Sequence, residues 1–210
     1  MNPIPERIRV LSVDDHPLIR DGVAGLLASA ADMVLVGEAA DGREAVEKYR
    51  LLQPSVVLMD IQMPVMNGLE ALVAIRREFP QARVLLLTTY SGDVLAQRAL
   101  KAGARAYLLK SLVRTELLDA IRAVAQGHIH ISPAVAMELA RYSSADALSS
   151  REVRVLESIA SGLGNKSVAR ELDITEGTVK SHVKNILAKL CANDRTHAVT
   201  LGLKRGIIDV

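Results

Sequence analysis

Four apolar residues, Val56-Val57-Leu58-Met59, run without a break into the carboxylate of Asp60, and Pro64 follows four positions on. A short, unbroken, valine-rich run predicts a strand buried on both faces, as in the centre of a parallel sheet. Met63-Pro64 and Asn67-Gly68 are breaker signals, so the strand should stop near Ile61. Asp60 then stands at its carboxyl end, where open α/β sheets bind their ligands. Taken alone, Asp60 is either a cap for the next helix or the working group of a site.

The flanking sequence repeats the pattern. Arg9–Val13 reads as a first strand, ended by Asp14-Asp15-His16-Pro17, and Leu18 to Ala30 carries apolar residues at helical spacing. Met33–Val36 is a second strand, and Asp41-Gly42 turns into a helix over 43–52 with Ala45, Val46 and Tyr49 on one face. A helix over 69–79, a strand over 83–88, a helix over 94–101, a strand over 106–109 and a helix over 115–125 follow. Five strands alternating with five helices in about 120 residues predict a parallel sheet with helices on both faces.

The strand ends carry the chemistry. The first strand ends in Asp14 and Asp15, the third in Asp60, the fourth in Thr88, and the fifth runs into Lys110. The fold would bring all of these to one edge. Three crowded carboxylates need a cation, and oxygen-only ligands suit Mg²⁺. A lysine and a hydroxyl beside them suit phosphate oxygens. The set is what transfer of a phosphoryl group to a carboxylate requires. Each residue alone has a plainer reading: Asp14-Asp15 as a helix cap, Lys110 as a solvated lysine, Thr88 as a strand-end hydroxyl bonded to backbone. Their coincidence at successive strand ends favours the site. Two enzyme readings fit less well. A dinucleotide site needs a glycine-rich turn after the first strand, where Asp14-Asp15-His16-Pro17 stands. A phosphatase of the haloacid dehalogenase type would carry a second Asp at the position of Gln62.

Aromatic residues make up 2% of the chain, with no Trp, so cores must be built from Leu, Val, Ile, Ala and Met, and base stacking on aromatic platforms is disfavoured. One cysteine excludes an internal disulfide or a cysteine-built zinc cluster and fits a reducing cytoplasm. The first residues lack the apolar core of a signal peptide, and no apolar run approaches a membrane span, so a soluble cytoplasmic protein is expected. Net charge is +2, divided as −1 over residues 1–147 and +3 over 148–210, which points to the last third as the partner of a polyanion.

That last third reads as helix throughout. A helix opening at Ser149-Ser150-Arg151-Glu152 ends at Gly162 and Gly164, and Asn165-Lys166 starts a short second one. Asp173-Ile174-Thr175 is a tight turn with Thr175 as N-cap of a helix over 176–190. That helix turns Val179, Val183, Ile186, Leu187 and Leu190 inward and Gly177, Lys180, Ser181, Lys184 and Ala188 outward, a small, cationic face free of carboxylates. A final helix is expected over 196–204. Two helices joined by a turn, the second with a basic face, form the arrangement that enters the major groove of DNA. A solvated charged face is the alternative; Lys166, Thr178 and His182 nearby favour DNA. Between the halves, a short helix over 134–141 and a small polar joint at Tyr142–Asp146 are expected, with His128 and His130 as solvated linker histidines.

Residues 8–126 closely resemble the receiver domain of bacterial two-component response regulators, on Asp14-Asp15, the Asp60–Gly68 block, Thr88 and Tyr107–Lys110. The resemblance implies a flavodoxin-like strand order 2-1-3-4-5, phosphorylation of Asp60 by a sensor histidine kinase, and Mg²⁺ or Mn²⁺ held by Asp15, Asp60 and the carbonyl of Gln62, with Asp14 acting mainly through water. It makes Thr88 and Tyr107 a switch pair and Lys110 the partner of the phosphoryl group. Residues 148–208 resemble the LuxR-type helix-turn-helix domain, on Leu148–Leu156, Gly162–Ala169 and Thr178–Leu187. That resemblance places Lys180, Ser181 and Lys184 at base edges and Lys166, Thr178, Asn165 and His182 at phosphates, with the last helix as dimer surface. It departs from the family at Ser181, often apolar there, and at Cys191, usually glycine, for which a buried structural thiol is favoured over a redox sensor.

The expected architecture is therefore a receiver over 1–126, a linker over 127–147 and an all-α four-helix DNA-binding domain over 148–210. The expected function is transcription regulation switched by Mg-dependent phosphorylation of Asp60, as a homodimer on an operator with two half-sites. It is not an enzyme, beyond slow hydrolysis of its own acyl phosphate. A constitutive DNA-binding regulator whose receiver only docks proteins is the alternative, and a stand-alone phosphohydrolase a third.

Overall fold

The structure, a computed structural model, describes residues 7–89, 93–133, 135–137 and 147–208. It divides into two compact units; residues 7–89 and 97–135 belong to the first and residues 147–208 to the second. The polar joint at 142–146 and most of the short helix expected over 134–141 lie outside the described residues.

Along the chain, β1 (Ile8–Val13), α1 (Pro17–Ala28), β2 (Met33–Ala39), α2 (Gly42–Leu52), β3 (Val56–Asp60), α3 (Gly68–Glu78), β4 (Val84–Thr88), α4 (Asp93–Lys101) and β5 (Ala106–Leu109) alternate. A 3₁₀ turn over Lys110–Leu112 leads into α5 (Val113–Ala125), and β6 (His130–Ile131) follows. All strand pairs are parallel, in the order β2-β1-β3-β4-β5-β6.

Side chains alternate across a strand. Val10, Val56, Leu58, Leu85, Leu87, Ala106 and Leu108 share one core with Val23 and Leu27 of α1 and Leu117, Ile121 and Val124 of α5. The intervening Leu11, Val13, Val57, Met59, Val84 and Leu86 are just as buried and point to the other face. All five residues of β3 are buried, as its unbroken apolar run predicts for a central strand.

The sheet has one strand more than the five expected. His130 and Ile131 pair with Ala106 and Tyr107 of β5, so the expected linker begins as sheet and the first unit runs to Val135. Gly127, at φ +89, ends α5 and turns the chain toward this pairing. Two residues are too few to show a period, which hides the strand from sequence reading. His128 is exposed as expected. His130 is not a solvated linker residue: its side chain is 28% exposed and its Nε2 lies 3.9 Å from the Glu116 carboxylate.

Parallel register fixes where the strands end. Val13 stands beside Met59, Asp60 beside Leu87, and Thr88 beside Leu109. Residues 14, 60, 88 and 110 therefore arrive at one rim.

The second unit consists of α6 (Ser150–Ala160), α7 (Asn165–Glu171), α8 (Glu176–Leu190) and α9 (Arg195–Lys204). Val155, Leu156, Val168, Leu172, Val179, Ile186, Leu190 and Ala198 form its core. Asp173 takes a left-handed conformation, φ 52, in the turn between α7 and α8. The Thr175 hydroxyl then caps α8 by accepting the Thr178 N–H at 3.1 Å. Gly202 lets α9 close on α6, since a Cβ there would lie 2.8 Å from Leu156 Cδ2.

Cys191 ends α8 at φ 52, a conformation that costs a non-glycine residue about 1 kcal/mol. It is exposed, not the buried thiol expected, because a left-handed residue just past a helix end projects away from the helix's packed face.

Glu152 is the one fully buried acid of this unit among the described residues. It closes a capping box with Ser149 and takes the Lys189 ammonium at 2.8 Å. Burial works against its carboxylate, but Lys189 and the Ser149 N–H and hydroxyl outweigh it and hold its pKa below 4.5. A carboxyl depressed in the fold stabilises it above the unfolded value and loses that gain as pH falls through the folded one. Glu152→Gln should cost the second unit about 1–2 kcal/mol at pH 7 and lose that penalty as pH falls through the depressed Glu152 pKa, read by thermal melts across pH.

Candidate functional site

The rim is acidic and centred on a lysine. Lys110, the first residue after β5, places its Nζ 2.7 Å from Asp14 Oδ2 and 2.8 Å from Asp60 Oδ2. Asp14 is 2% exposed and Asp60 3%. Asp60 Oδ1 accepts the N–H of Ile61 at 2.8 Å. Arg20, one turn into α1, donates to the Asp14 carbonyl at 2.6 Å and fixes the end of β1.

Burial pushes the Asp60 carboxyl above its ordinary value, with Lys110 pulling down and Asp14 pushing further up. Burial also opposes the Lys110 ammonium, yet its bonds to Asp14 and Asp60 prevail and its pKa is raised. Asp14, Asp15 and Asp60 against one ammonium leave the rim at −2. That balance and the oxygen-rich donor set fit a divalent cation. One donor atom each from Asp14, Asp15, His16 and Asp60 lie within 4.8 Å of one another. Gln62, whose carbonyl the resemblance assigns to the cation, sits in the loop two residues beyond β3 with its side chain exposed.

Thr88, at the end of β4, is 1% exposed, and Tyr107 of β5 is fully buried beside it. Burial pushes the Tyr107 phenol up to about 12, with Thr88 pulling the other way. The ring is inside the sheet rather than in solvent.

In the sequence Asn67-Gly68 reads as a breaker and as the end of the Asp60–Gly68 block; in the structure both residues do more. Asn67 and Glu70 form a reciprocal capping box that starts α3, a motif visible as Asn-x-x-Glu. A Cβ on Gly68 would stand 2.0 Å from the Asp60 carbonyl oxygen, so only glycine lets α3 begin this close to Asp60.

In the second unit, Lys180, Ser181 and Lys184 of α8 and Lys166 of α7 are exposed; Asn165, Thr178 and His182 are half-buried. The Thr178 hydroxyl is 2.8 Å from that of Thr175 and serves the cap. The outward face is not free of carboxylates: Glu176 lies 3.8 Å from Lys180. That exposed pair is worth well under about 1 kcal/mol and is readily exchanged for a stronger anion.

The raised pKa means that burial and Asp14 oppose the Asp60 charge in the metal-free fold more than Lys110 supports it. Asp60→Asn should therefore raise the melting midpoint of the first unit in chelator, by about 1 kcal/mol of stability. A fall instead would mean that Lys110 already overcompensates the rim.

The family model for the response regulator receiver domain matches residues 10–122, and that for the bacterial regulatory proteins of the luxR family matches residues 146–201. Response regulator protein VraR of Staphylococcus aureus is 38% identical over 206 residues, spanning 96% of this chain and 99% of that protein. The crystal structure of response regulator ChrA of a heme-sensing two-component system is 36% identical, with a TM-score of 0.57 over 96% of this chain and 99% of that one. RcsB, solved as two dimers bound to two parallel DNAs, shares the fold at TM-score 0.76 and 23% identity, over 95% of this chain and 99% of that one.

Proposed function

Because this chain belongs to the response regulators that join a receiver domain to a LuxR-type DNA-binding domain, we propose that it regulates transcription according to phosphorylation of Asp60. The observation that carries the proposal is the convergence of Asp14, Asp60 and Lys110 within 2.8 Å contacts at one rim that retains a −2 charge. A sensor histidine kinase supplies the phosphoryl group. An Asp60 carboxylate oxygen forms the new O–P bond as the P–N bond to the kinase histidine breaks. Asp15, Asp60 and the Gln62 carbonyl, with Asp14 beside them, would hold Mg²⁺ or Mn²⁺, which would supply positive charge to offset that of the phosphoryl group. Lys110 leaves its carboxylate partners to pair with the new anion, and the Thr88 hydroxyl turns to meet it. Tyr107, already inside, fills the space that Thr88 vacates.

The receiver spans roughly residues 1–126 and the DNA-binding domain 148–210, joined by the intervening segment. In the DNA-binding domain, Lys180, Ser181 and Lys184 read base edges, and Lys166, Asn165, Thr178 and His182 hold phosphates. RcsB binds DNA as dimers. By analogy this protein acts as a homodimer on two half-sites. The described residues contain no helix long and apolar enough to cross a membrane, which agrees with action in the cytoplasm. The protein is a regulator, whose only turnover is hydrolysis of its own acyl phosphate.

Incubation with a small phosphodonor and Mg²⁺ should label the wild type and leave Asp60→Asn unlabelled. Equal labelling of both refutes the site. Equal DNA affinity with and without phosphodonor would favour the constitutive, docking-only reading. Lys184→Ala should weaken operator binding by about 1–3 kcal/mol and relax preference at one base pair. A uniform loss across site variants would move Lys184 to the phosphate-holding group.

A further inference from the structure

The mechanism above makes no use of His16, yet the ring is placed with care. Pro17 restricts His16 to extended backbone, found at φ −93 and ψ 110. His16 holds the N-cap position of α1 but its side chain caps nothing. Its backbone N–H donates instead to Asp14 Oδ1 at 2.9 Å, tying the residue to the acidic rim. The ring follows: Nδ1 lies 2.7 Å from Asp15 Oδ1 and 3.3 Å from Asp14 Oδ1.

Neighbouring ligands on an octahedron with bonds of about 2.1 Å are about 3.0 Å apart, and opposite ones about 4.2 Å. The two contacts of Nδ1 straddle the first value; the whole donor set spans up to 4.8 Å, wider than the second, so its outer members must draw in by about 0.6 Å to share one ion. Lys110 occupies Oδ2 of Asp14 and of Asp60, which leaves Asp14 Oδ1 on the side that His16 faces. The ring is 66% exposed, so a hydrated cation reaches it from solvent without crossing the core.

We propose that His16 supplies a nitrogen ligand to the receiver's cation site, so that this site selects a transition-metal dication such as Mn²⁺ or Co²⁺ over Mg²⁺. Imidazole nitrogen suits transition metals, whereas Mg²⁺ keeps to carboxylate, carbonyl and water oxygens. The inference rests on the phosphoacceptor reading only in taking the rim to hold a cation. A residue that merely hydrogen-bonds Asp15 would shape the site for all dications alike.

The test uses full-length, metal-free protein as wild type, His16→Ala and His16→Asn, titrated calorimetrically with Mn²⁺, Co²⁺ and Mg²⁺. Spin-echo spectra of the Mn²⁺-loaded protein report directly on coordinated nitrogen. Wild type should show imidazole ¹⁴N coupling. Both variants should lose the coupling and at least about tenfold in Mn²⁺ and Co²⁺ affinity, with Mg²⁺ affinity held within about threefold. Asparagine keeps a donor for Asp15 but offers no imidazole, so it should not rescue. Absence of ¹⁴N coupling in wild type, equal weakening of all three metals, or rescue by His16→Asn would each overturn the proposal while leaving the phosphoacceptor reading intact. A wild type that binds none of the three dications would overturn both.

Discussion

One ammonium between two buried carboxylates governs this molecule. Lys110 reaches Asp14 and Asp60 at 2.7 and 2.8 Å, and neither acid has appreciable access to water. A buried carboxylate without a counter-charge costs several kcal/mol, so the rim exists only because Lys110 is there. Yet one ammonium cannot neutralise three acids. The residual −2 is what invites a dication, while burial raises the Asp60 pKa against the pull of Lys110, with Asp14 adding to the rise. A site balanced on its own would have no reason to respond to cation or phosphate.

The sheet turns that imbalance into geometry. Asp14, Asp60, Thr88 and Lys110 come from four strand ends spread over nearly a hundred positions, and only parallel register brings them level. The connection leaving Asp60 carries strain: Val65 sits at φ +67, a conformation that costs a β-branched residue about 1–3 kcal/mol. The fold around it holds the loop in place. The Gly42 N–H donates to the Met66 carbonyl, and the Gly68 N–H to that of Ile61. Val65 is 70% exposed, so its side chain gains nothing by packing in return. The strain belongs to the loop that frames Asp60.

Much of this was legible in the chain itself, for identifiable reasons. Long apolar runs and helical spacing gave β3 and α8 almost to the residue, because each follows from a strong period. The rim was legible because breaker residues fixed where each strand had to stop. The misreadings share a different cause. The two residues of β6 carry no period, and the half-buried state of His130 follows from that pairing. Exposure of Cys191 depends on a backbone φ that composition does not reveal. The contact of Glu176 with Lys180 and the approach of His16 to Asp15 are side-chain choices made after the backbone is set. Gly68 is the instructive case: its sequence context announces a turn, but the 2.0 Å reason for glycine is tertiary.

The central claim is that distant acids and one lysine meet at a single edge to hold a dication. Amide correlation spectra of the ¹⁵N-labelled full-length protein during a Mg²⁺ titration test it most directly. The account predicts saturable shifts concentrated at residues 14–16, 60–62, 88 and 110, with the second unit unmoved by direct binding. Shifts scattered over surface acids such as Glu78 and Asp119, with 14, 60 and 110 silent, would contradict it.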